Sequence, residues 1–91
     1  MNNLSSSVES KLEMETVTLL HRLIDFRSHL MEILKKYNVS KPEEIKAMIE
    51  KEEVGEHPAY EDYLDSVAYK MEIETLIKEI EARLHSIGSI S

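Results

Sequence analysis

The chain has 91 residues, 42 % of them hydrophobic and 32 % charged, with a formal net charge of −7. That is enough for one small domain and too little for two. With 2 Gly, 2 Pro and no Cys, the composition favours helix over strand and excludes disulfides, thiolate chemistry and cysteine-based zinc sites.

The first element is a helix from about Val8 to Tyr37, after a small polar stretch at residues 1–7 that is expected to fray. Val8, Leu12, Thr16, Leu19, Leu23, Phe26, Leu30, Ile33 and Tyr37 recur at three- and four-residue steps, which lays them along one seam. Beside the seam runs a second apolar row, Val17, Leu20, Ile24, Met31 and Leu34, interrupted by Arg27. A lone two-stranded coil needs only the seam, so the second row asks for a further neighbour. Arg27 is expected to reach solvent along its aliphatic stem or to meet an acid of a second chain.

Next, Asn38-Val39-Ser40-Lys41-Pro42-Glu43 turns the chain and restarts a helix over about 41–53. Ser40 and Glu43 have the spacing of a capping box, with Val39 placed to pack on Ile45 as its staple, and Gly55 offers a left-handed exit. Ile45, Met48 and Ile49 form the apolar row of this helix, which is too short to stand alone.

The last helix spans about 58–87, with Pro58 at the first helical position and Glu61 and Asp62 near the positive end of its dipole, before a small polar tail at 88–91 that is also expected to fray. Tyr60, Leu64, Val67 and Met71 follow one stripe, and Tyr69, Ile73, Leu76, Ile77, Ile80, Leu84 and Ile87 follow another. At about 100° per residue the stripes point roughly 160–200° apart, so the helix is expected to bridge two packing surfaces. Met31, Met48 and Met71 read as gap fillers on these rows.

The fold class is therefore all-α: a single domain, 1–91, forming a long antiparallel helical hairpin with a short intervening helix. Helices of about 30 residues are roughly 45 Å long, whereas a compact globule of this size has a radius of gyration near 12 Å. A hairpin that thin leaves an apolar row wet, and pairing of two copies into a four-helix-type bundle is the simplest closed remedy. Leu19, Leu20, Leu23, Ile24, Phe26, Leu30, Ile73, Ile77, Ile80 and Leu84 are the expected core and dimer residues.

Chemistry-bearing constellations are sparse. His21, Asp25 and His29, with Glu32 one turn on, are spaced to converge in pairs on a divalent metal, although the row sits on the polar face and reads first as a solvated one. Glu81 and His85 repeat the spacing near the carboxyl end, where a histidine complements the helix dipole. His57, Tyr60 and Tyr63 form the densest polar and aromatic cluster, at a loop-to-helix junction, and are the first candidates for partner binding. No phosphate loop or Ser-His-Asp arrangement is present, so no enzymatic activity, cofactor or small-molecule substrate is expected.

Charge is uneven. Residues 1–40 carry five bases and five acids, residues 41–91 six bases and thirteen acids. An acidic surface without a Lys/Arg stripe argues against nucleic acid as a partner. No run approaches 18 apolar residues and the amino terminus lacks a signal-like apolar stretch, so a cytoplasmic protein without membrane partners is expected. The sequence thus reads as a non-enzymatic, homodimeric interaction module. An antitoxin-like or regulatory partner of a basic protein is the first alternative, and a metal-binding bundle the second.

Overall fold

In a computed structural model the described residues are 4–90, with side chains described from 7 to 89. They form three helices, α1 (Leu4–Lys36), α2 (Pro42–Glu50) and α3 (Glu56–Ile90), and no strand. Of the tails expected to fray, residues 1–3 and 91 lie outside the described residues, while Leu4 to Ser7 and Gly88 to Ile90 are helical. The helices run antiparallel, as Lys36 meets Asp62 near one end and Glu15 meets Arg83 near the other. The all-α hairpin with a short intervening helix is thus the observed architecture. It is a rod of 67 × 16 × 16 Å with a radius of gyration of 18.6 Å.

From Leu12 to Tyr37 the seam of α1 is the one its spacing dictates, while Val8, the first residue of the predicted row, is 48 % exposed. Thr16 and Leu19 are buried and Leu23, Phe26, Leu30 and Ile33 half-buried, facing buried Leu76 and Ile80 with half-buried Tyr69 and Ile73 on α3. Leu19, Leu76 and Ile80 make the central cluster, with Leu23 and Phe26 against it. Thr16 is dry at no polar cost because its hydroxyl donates to the Leu12 carbonyl at 2.7 Å.

The amino-terminal half of α3 differs from the sequence reading. Of its stripe, Tyr60, Leu64 and Met71 are exposed, at 50, 47 and 61 %, Val67 is half-buried, and the residues facing fully inward are Ala59 and Ser66, at 1 and 0 %. The inward face therefore does not change sides. It continues up α3 through small residues, which let α2 lie close against the helix. Ile45 of α2 is completely buried, and Ser66 is satisfied by donating to the Tyr63 carbonyl at 2.7 Å.

Local signals at the ends of α2 also differ from expectation. Pro42 occupies the first turn, which makes Lys41 the cap residue, and it is Glu44 rather than Glu43 that reaches back, accepting from the Ser40 amide at 2.6 Å. That bond holds the Glu44 carboxyl below its ordinary range. Glu43 instead approaches Lys70 of α3 at 3.8 Å. The left-handed residue after α2 is Glu52 (φ 59), not Gly55, because the Glu52 and Glu53 amides fold back onto the Ile49 and Met48 carbonyls. Asn38 (φ 55) plays the same part after α1, with the amides of Asn38 and Val39 on the carbonyls of Lys35 and Leu34. At the start of α3, His57 is non-helical (φ −113, ψ 128) and precedes a cis bond to Pro58.

Candidate interaction surface

In an antiparallel pair of helices, residues one position after the seam flank the same side of both helices, and residues one position before it flank the other. The preceding side is polar: Glu15, Arg22, Asp25, His29 and Glu32 from α1, Glu72, Glu79 and Ser86 from α3. The following side is apolar on α1, with Val17, Leu20, Ile24, Met31 and Leu34 broken by Arg27. On α3 it carries Lys70, Glu74, Ile77, Glu81 and Leu84.

α2 covers one end of this apolar side. Lys70 meets Glu43 of α2 there, and Leu34 is buried at 8 %. Away from α2 the same rows are wet: Leu20 is 40 %, Ile24 60 %, Met31 56 %, Ile77 41 % and Leu84 53 % exposed. Four of the residues expected as core or dimer contacts, Leu20, Ile24, Ile77 and Leu84, therefore stay outside the core of a single chain, whereas Leu19 and Ile80 lie within it. Beside α2 a groove of ≈ 800 Å³ opens over α1, lined by Ile24, Arg27, Met31, Leu34, Lys35 and Val39.

The closed end is held by a polar knot. Asp62 on α3 accepts from the Tyr37 hydroxyl at 2.5 Å and from Lys36 Nζ at 2.8 Å. Burial, then the hydrogen bond to Asp62 and its negative charge, push the Tyr37 phenol up to about 12. The bonds from Lys36 and Tyr37 hold the Asp62 carboxyl below its usual range. At the open end, Arg83 Nε lies 3.3 Å from a Glu15 carboxylate oxygen. Its N–H is not aligned into a hydrogen bond, so the pair is a charge contact only.

His57, Tyr60 and Tyr63 are brought together at the start of α3. Tyr60 and Tyr63 have ring centroids 6.4 Å apart, and His57 Nδ1 lies 2.8 Å from a Glu61 oxygen. That hydrogen bond raises the His57 pKa and lowers that of Glu61. Tyr60 is exposed and Tyr63 half-buried, so the cluster is a surface of Tyr60 and His57 rather than of three side chains.

The row His21, Asp25 and His29 does not converge. Its outer members are separated by roughly 12 Å of helix rise, against ligand distances of about 2–2.6 Å. His29 instead stacks on Tyr69, centroids 5.4 Å apart. Among the described residues no three His, Cys, Asp or Glu side chains are grouped to hold a metal ion. Nor, among them, is any helix long and apolar enough to cross a membrane.

Fold and surface together define an all-helical hairpin with a lateral third helix and one half-covered apolar flank. The chain belongs to the uncharacterized protein MJ0235 family, whose model matches residues 1–85. No curated protein and no solved structure matches it. Family membership points to no activity, so the functional reading rests on the surface itself.

Proposed function

We propose that the protein is a non-enzymatic helical interaction module that acts in the cytoplasm as a homodimer, pairing through the apolar flank that α2 leaves open. The supporting observation is one-sided exposure: Val17, Leu20, Ile24 and Met31 of α1 and Ile77 and Leu84 of α3 are wet along one flank, while the opposite flank is polar. Each large side chain left in water forgoes about 1.5–3 kcal/mol, and several together approach the whole stability of a small domain, about 5–15 kcal/mol. The surface total agrees. A compact 10.6 kDa monomer exposes about 5,500 Å², whereas this chain exposes 6678 Å².

Ile24→Glu tests the reading. The side chain is exposed in the single chain, so the variant should keep its helical circular dichroism and lose self-association in sedimentation. An unchanged dimer in Ile24→Glu would remove this face as the pairing surface.

A second surface supports a second partner. Tyr60, Leu64 and Met71 form an exposed row on the outer side of α3, flanked by Glu61, Asp65 and Glu72. An apolar row edged by carboxylates suits a basic protein, the regulatory role suggested by the acidic half of the chain. Tyr60→Ala should then weaken capture of such a partner without changing the dimer.

A further inference from the structure

We infer that the two copies pair in opposite directions, α1 against α1 and α3 against α3, with the N-terminal half of each α1 entering the groove beside the partner's α2. This rests on the homodimer reading and settles a geometry that reading leaves open. Three observations carry it.

α2 is a step on the pairing face. It lies over α3 at the closed end only, and a helix with its side chains is about 10 Å thick. Copies stacked in the same direction would bring both steps to one end. Their open halves would then stand roughly 20 Å apart, twice the 8–10 Å at which helices pack, and Leu20, Ile24 and Ile77 would stay wet. Opposite stacking sets each step beyond the open end of the other copy.

The groove is placed to take a helix. It runs along α1 from Ile24 to Lys35, next to the step and on the same flank. A two-fold that reverses direction lays α1 over α1, so the segment it delivers to the groove is the N-terminal half of the partner's α1.

Charge agrees with that delivery. On the pairing flank of α1, Glu9 and Glu13 lie in the N-terminal half and Arg27 and Lys35 in the C-terminal half. Opposite pairing sets the acidic half of each α1 on the basic half of the other, twice over. Arg27 and Lys35 line the groove with Glu32 as its one acid, and among the described residues neither base is in an ion pair. On α3 the same pairing joins Ile77 and Leu84, with Glu74 and Glu81 at the solvated edge. The paired strip, about 35 Å from Val8 to Met31 by the 16 Å width of the rod, gives roughly 1,100 Å² over both copies, past the about 1,000 Å² a specific interface needs.

The chain contains no cysteine, so single nitroxide labels can be placed cleanly. Asp65→Cys at the closed end and Ser10→Cys near the open end both lie at exposed positions off the groove. With the two-fold near Val17 to Leu20, pulsed electron resonance on labelled Asp65→Cys should give a distance of roughly 50 Å between copies at 1.5 Å per residue. A mixture of labelled Ser10→Cys and Asp65→Cys should add a shorter distance of roughly 25 Å. Two Asp65→Cys labels closer together than the mixed pair, with dimer mass intact, overturn the orientation and leave the homodimer standing. A monomeric mass overturns both.

Discussion

One flank of the hairpin is built twice from the same rows, and its two ends have different fates. At the closed end α2 lies on it: Leu34 is buried, Ile45 is completely so, and Ala59 and Ser66 let the helices approach. Toward the open end the same rows continue through Val17, Leu20, Ile24, Ile77 and Leu84 with nothing upon them, and each of these is 40 % exposed or more. The contrast shows that a helix face is specified locally, by spacing, while its cover is supplied from elsewhere. The chain provides one short covering helix, and the remaining length of the face calls for another molecule.

The largest effect expected is on the uncovered end. Ile24→Glu occurs twice in a symmetric pair, so association should weaken by about 3–6 kcal/mol, two orders of magnitude or more in Kd, while the chain stays helical. Ile45→Ala tests the covered end in the opposite sense. It should lower the unfolding free energy of the single chain by about 2–5 kcal/mol in urea titrations, and loosen α2. If Ile45→Ala instead proved neutral, α2 would not be the cover that its burial describes.

Smaller effects sharpen the closed end. Asp62→Asn removes the negative charge that Lys36 and Tyr37 share and leaves them a single neutral amide oxygen as acceptor. With Lys36 half exposed, the cost should be about 1 kcal/mol. The pH dependence follows from the two shifts at this knot. Asp62 has a lowered folded pKa, so its contribution is present above the ordinary carboxylate range and is lost as pH falls through the folded value. Tyr37 has a raised one, about 12 against 10.0, so its contribution is present below pH 10 and disappears as pH rises toward 12. Tyrosinate absorbance should show a late step that Tyr37→Phe abolishes. The smallest effect has the opposite sign: Glu52 sits at φ 59, and Glu52→Gly should stabilise by about 0.5–1 kcal/mol through relief of its left-handed backbone.

Much of the fold was legible because spacing carries it. The three- and four-residue steps of Leu19, Leu23, Phe26 and Leu30 named the α1 seam, and Ile73, Leu76 and Ile80 named its counterpart. The upper half of α3 was misread because its inward residues are Ala59 and Ser66, which no apolar pattern picks out. Small residues at seam spacing are the signal of a close helix approach. The cap of α2 moved by one residue for a similar reason. Pro42 belongs in the first turn, which makes Lys41 the cap and gives Glu44 the reach that Glu43 lacks. Glu52 in the left-handed position had no local signal, since the geometry comes from amides folding back on α2 and overrides the preference for Gly55. For the candidate site, the wet row Leu20, Ile24, Ile77 and Leu84 could be named from sequence, but the side it shares with α2 required the structure.

The central claim is that the open flank is closed by a second copy. Light scattering on the purified chain at micromolar concentration tests it most directly. The expected result is a mass of twice 10.6 kDa, falling to the single-chain value in Ile24→Glu. A mass of 10.6 kDa for the unaltered chain would contradict it.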